Sequence, residues 1–160
     1  MKTVYRMAAI ATMAIATLIS CGNAGAQNDK KQTTATNHVK ELDVDTFNKM
    51  VYDINSGEME YLGTKPAIVD FTASWCGPCR SIAPILEQLA NEYKDQIVVY
   101  KVDVDKAGEI AQAFGITSIP AILYIPLDGE PSMTIGARNK AKFQDEIQKI
   151  LLVSMTAPSI

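Results

Sequence analysis

After a polar opening, apolar residues recur with two distinct periods along this chain, and the period of each block predicts its element. Residues 27–37 (QNDKKQTTATN) hold almost nothing apolar and read as a tether. His38 to Leu42 reads as a short first strand. Phe47, Met50, Val51 and Ile54 share one helical face, which predicts a helix capped by Asp45 and running to about Asn55. Residues 56–65 contain Gly57 and Gly63 and read as a long loop or a helix extension. The run PAIVDFTA, residues 66–73, is short, apolar and rich in branched side chains, as a buried strand is. From Gly77 to about Tyr93 the period becomes helical, with Ile82, Ile85, Leu86 and Leu89 on one face and Pro84 expected to bend the helix. IVVYKV, residues 97–102, predicts the next buried strand. Lys106 to Phe114 predicts a short helix stopped by Gly115. Ala121–Ile125 and Met133–Ile135 read as strands joined by a turn at Asp128-Gly129. Asn139 then caps a closing helix to about Val153, with Phe143, Ile147, Ile150 and Leu151 inward.

The resulting order is β-α-β-α-β-α-β-β-α. Early βαβ crossovers imply parallel strands and the late hairpin implies antiparallel ones. The expected fold class is α/β: a mixed central sheet with helices on both faces, formed by residues 38–153 and followed by a tail at 154–160.

Composition adds little to this picture: 48% of the 160 residues are apolar and 21% charged, enough for one domain with a real core. Charge removes a function class. The formal net charge is −3, and residues 1–26 hold Lys2 and Arg6 but no acid, leaving −5 for the rest. No nucleic-acid partner is expected from such a surface. Residues 1–26 read as an export signal, with Lys2 and Arg6 before the apolar run Met7 to Ile19. Two cleavage sites compete. Ala24-Gly25-Ala26 would leave Gln27 first. LISC, residues 18–21, resembles the bacterial lipobox, in which the cysteine becomes the lipidated first residue; that makes Cys21 the candidate anchor and the anchor the expected link to a membrane.

Either cleavage leaves Cys76 and Cys79 as the free thiols of the mature chain. A pair at this spacing has three uses. Zinc would need two more ligands, and the mature chain offers one histidine, His38, and no further cysteine. A staple would close almost no loop. The redox use has positive support. The strand before Cys76 delivers it to the mouth of a helix, where unpaired N–H groups and the positive dipole end favour a thiolate. Cys79 follows one turn later, close enough to attack a mixed disulfide on Cys76. Gly77 allows a partner to approach, and Pro78 stiffens the first turn at little cost. Trp75 either shields the pair or packs in the core. Asp70, in an apolar strand, is expected below the sheet surface, where a carboxyl could take the proton of the second thiol while Lys101 steadies its charged form. The alternative for both is a structural ion pair or edge residues. No metal or organic cofactor is expected.

VDFTASWCGPCRSIAP resembles the active site of the thioredoxin family, and FGITSIPAILYI resembles that family's cis-proline segment. The likeness runs from about His38 to Val153 and leaves no room for the central insert of cytochrome-maturation relatives. It implies that Cys76 attacks, Cys79 resolves, Asp70 assists proton transfer and Lys101 is its neighbour. It also implies a cis bond at Ile119-Pro120, with Ile119, Pro120 and Gly136 at the surface that receives an extended client; ordinary turn roles are the alternative for Pro120 and Gly136. Thr72 stands where bacterial members often carry an aromatic, and Arg80 where they often carry lysine. The implied activity is protein-disulfide reduction on disulfide-bearing client proteins. The export signal is the largest departure from cytosolic members; with it, the expectation is a monomer in the cell envelope, recharged by a membrane electron-donor protein. A disulfide oxidase or isomerase, and a non-catalytic client-binding module, are the alternatives.

Overall fold

The structure, a computed structural model, describes residues 37–153. The export signal, Cys21, most of the tether and the tail at 154–160 lie outside these residues.

Five strands form one sheet in the order β1-β3-β2-β4-β5. They are β1 (Val39–Leu42), β2 (Ala67–Thr72), β3 (Val98–Asp103), β4 (Ala121–Ile125) and β5 (Ser132–Ile135). β3 lies parallel to both β1 and β2. β4 runs antiparallel to β2 and β5. The expected mixed sheet is therefore present, with the crossover helices and the hairpin setting the two directions.

Side-chain alternation divides the core into two halves. Val69 and Phe71 of β2 meet Phe47 of α1 (Val44–Met50) and Ile110 of α3 (Gly108–Ala113). Ile68 points the other way, into a cluster with Ile82, Leu86 and Leu89 of α2 (Gly77–Glu92) and Phe143 of α4 (Lys140–Glu146). The ring of Phe114, just after α3, packs edge-on against Phe47 at 5.7 Å between centroids. No helix among the described residues is long and apolar enough to cross a membrane.

Three local expectations change. Asp43, not Asp45, caps α1: its Oδ1 accepts the N–H of Thr46 at 2.9 Å, and Thr46 Oγ1 accepts the N–H of Asp43 at 3.0 Å. α1 also ends at Met50, because Asn48 Oδ1 accepts the N–H of Ile54 and the Val51 carbonyl accepts that of Leu62. Residues 56–65 are accordingly a loop, not a helix extension; Tyr61 closes it by donating to the Lys65 carbonyl at 2.7 Å. α2 continues through Pro84 on both sides. Beyond α4 the chain widens into a π-helical turn, Ile147–Leu151, which keeps Ile147, Leu151 and Leu152 all buried.

Candidate redox site

The tight turn between β2 and α2 places Cys76 at the N-cap of a long helix. Its backbone is extended, as an N-cap requires, and its Sγ accepts the N–H of Cys79 at 3.2 Å. The anion-favouring position read from the sequence is thus occupied by sulfur itself. Cys76 and Cys79 are joined in a disulfide, with Cα atoms 5.3 Å apart. Pro78 stands in the first turn, where its missing N–H leaves no ladder bond unmade. A side chain at Gly77 would meet only the Arg80 guanidinium, at 3.9 Å, so the approach to Cys76 is open. Arg80 turns back to donate to the Ser74 carbonyl at 2.9 Å, bracing the turn from outside.

The sulfurs sit in a shallow apolar nest. Cys76 and Cys79 are 4% and 1% exposed and pack with Ala73, Val104 and Ile119. The bond Ile119-Pro120 is cis, as the resemblance implied. The Pro120 carbonyl accepts the N–H of Gly136 at 2.8 Å, which ties Gly136, whose φ of 94° suits glycine, to the proline segment. Core packing for Trp75 is overturned: the ring is 66% exposed. Its indole N–H donates to Asp105 Oδ2 at 2.8 Å, and with Val104, Ile116, Thr117, Ser118 and Ile119 it lines a groove of about 340 Å³. Asp105 was not singled out from the sequence, where it is one of two carboxylates in DVDK, residues 103–106.

Asp70 is 2% exposed, on the α2/α4 side of the sheet. Burial pushes its carboxyl up to about 7, and the positive charge of Lys101 only partly opposes this. Lys101 faces Asp70 across the β2–β3 register, yet its ammonium pairs with Glu41 Oε2 at 3.0 Å. Lys101 is thus the neighbour of Asp70 and favours its charged form, as expected, but the direct ion pair is made with Glu41, a more exposed carboxylate on a third strand. Glu41 carried no signal in the sequence, since a lone acid in a short edge strand is ordinary.

Comparison with known proteins agrees with this geometry. The family profile described as Thioredoxin matches residues 38–149. A thioredoxin of Borreliella burgdorferi is 42% identical over 108 residues, 67% of this chain and 92% of that protein. The M-type chloroplastic thioredoxin of Spinacia oleracea is 41% identical over 106 residues, 64% of this chain and 59% of the plant protein. A thioredoxin of Mycobacterium tuberculosis is 41% identical over 88 residues, 54% of this chain and 75% of its own length. A disulfide at the head of a helix, a cis-proline segment packed against it and sequence likeness along most of the sheet converge on one assignment: the chain belongs to the thioredoxin family of disulfide oxidoreductases.

Proposed function

We propose that this protein reduces disulfides of client proteins in the bacterial cell envelope. The observation that carries the reading is the position of Cys76: its sulfur stands at the N-cap of α2 and already accepts a backbone N–H. A thiolate there is stabilised by the helix dipole and is the competent nucleophile. It attacks one sulfur of a client disulfide; a Cys76–client bond forms, the client S–S bond breaks, and the departing sulfur takes up a proton. Asp70, as carboxylate, accepts the proton of the Cys79 thiol. The new thiolate attacks the Cys76 sulfur, the Cys76–Cys79 bond forms as the Cys76–client bond breaks, and the client's second sulfur leaves as a thiolate that takes up a proton, so both client sulfurs are reduced. Two electrons pass to the client and the protein is left oxidised.

The groove beside Trp75 and Ile119 suits an extended client segment. Backbone beside the cis bond offers such a segment main-chain pairing, with Pro120 and Gly136 forming the platform. Export follows from the basic and apolar start of the chain, and the lipobox-like LISC makes Cys21 the proposed lipid anchor. Cytosolic reductants do not reach that compartment, so the electron donor is proposed to be a membrane protein with its own dithiol.

Cys79→Ser tests the mechanism. Resolution is then blocked, and the variant is expected to accumulate covalent client adducts visible on non-reducing gels, while Cys76→Ser forms none and loses insulin-disulfide reduction. Reduction that survives loss of both cysteines would refute the reading and favour the client-binding module. Direction is read by equilibrating the pair with glutathione and by alkylating thiols in intact cells. A pair found reduced supports the reductase; a pair held oxidised reverses it to an oxidase.

A further inference from the structure

Three parallel strands bring three charged side chains into one row. Glu41 of β1 is in register with Lys101 of β3, and Lys101 with Asp70 of β2. All three lie on the α2/α4 side, because the residues two positions earlier on each strand, Val39, Val99 and Ile68, belong to that half of the core. Lys101 thus stands between two carboxyls, one exposed and one buried. Its ammonium bonds the exposed one. Glu41 is further secured by Lys106, whose ammonium lies 3.1 Å from its Oε1 and 3.6 Å from Asp103. Asp70 Oδ1, by contrast, has no hydrogen-bond partner. A cavity of about 270 Å³ joins the row to α2, lined by Glu41, Asp70, Lys101, Ala83, Pro84 and Glu87. Ala83 is one helical turn beyond Cys79, on the same face.

We propose that Glu41 is a positioning residue that holds the Lys101 ammonium away from Asp70 and thereby sets the proton affinity of the carboxyl that serves Cys79. This rests on the reading that Asp70 takes the Cys79 proton. An ammonium in contact with Asp70 would favour its carboxylate and make it a weaker base. Shared with Glu41, the same ammonium acts at longer range and as part of a nearly neutral pair. Hydrogen bonds from Lys101 and then Lys106 hold Glu41 below the usual carboxylate range, so it remains an anion while Asp70 titrates. The other charged group at the cavity, Glu87 of α2, is engaged elsewhere: its Oε2 accepts the N–H groups of His38 and Val39. From β4 the residue paired with Asp70 is Ile122, which is apolar.

Glu41→Gln, at a half-exposed site, keeps the fold and releases Lys101. Carbon-13 NMR titration of the Asp70 carboxyl in the oxidised protein should show its pKa falling by about one unit in this variant. The pH profile of insulin-disulfide reduction should move to lower pH with it. Lys101→Gln should raise the Asp70 pKa, and in that background Glu41→Gln should lose most of its effect. An Asp70 titration unmoved by Glu41→Gln overturns the inference. So does a Glu41→Gln shift that survives undiminished beside Lys101→Gln, for Glu41 would then act only as a nearby negative charge. Asp70→Asn separates the underlying reading: a pH profile like that of the unaltered protein refutes Asp70 as the proton acceptor, while the carboxyl titration still judges the hold of Glu41 on Lys101.

Discussion

Asp70 is a carboxyl placed where ionisation is costly, and its burden can be read as stability. Its folded pKa is near 7 against an ordinary value of 3.8. Between those values the native state binds a proton that the unfolded chain has lost, so stability falls as pH rises through this window and levels off above it. The full shift corresponds to about 4 kcal/mol as an upper figure. Asp70→Asn is therefore expected to melt higher than the unaltered protein at pH 8 and to lose that advantage near pH 4. Equal melting temperatures at pH 8 would contradict the burial account. Trp75 is governed by a different single contact, the Asp105 hydrogen bond. Asp105→Ala should free the indole, change the fluorescence of this sole tryptophan and raise KM for protein clients by about threefold, leaving kcat nearly unchanged.

At the scale of elements, a buried polar knot joins β4 and α4 to the proline segment. Tyr124 of β4 donates to Glu146 Oε2 at 2.5 Å, and Arg138 Nε donates to Glu146 Oε1 at 3.0 Å. Arg138 also donates to the carbonyl of Gly136 at 2.7 Å, and Gly136 in turn holds Pro120. Removing the shared carboxylate strands a buried phenol and a mostly buried guanidinium. Glu146→Ala should cost about 3 kcal/mol in urea unfolding and weaken client binding, because the proline segment loses its brace. Within these elements, the apolar period found the helices because burial enforces it, as Phe143 and Ile147 illustrate. It missed the end of α1, which depends on the Asn48 side chain reaching a backbone N–H six residues on. Such side-chain competition with the helix ladder has no period.

For the molecule as a whole, the proposed anchor, Cys21, comes before the polar stretch 27–37 in the sequence, and the redox domain comes after it. On that proposal, Cys21→Ser should release the protein from the membrane fraction, and the mass of the mature N-terminus should lose its acyl chains. A mature chain that begins at Gln27 without lipid would remove the anchor and leave the redox chemistry intact.

The amino-acid order by itself determined the strand-to-helix delivery of Cys76, its partner one turn away, and the inward face of Asp70. These follow from local rules: a turn before a helix, its dipole, and the alternation of a strand. Only the tertiary structure decided which carboxylate receives Lys101, where Trp75 rests and what braces Pro120. Each of those depends on residues far apart in the chain, brought together by sheet order and helix packing. A charge selects its partner by distance and solvent access, which are set only when the sheet is assembled.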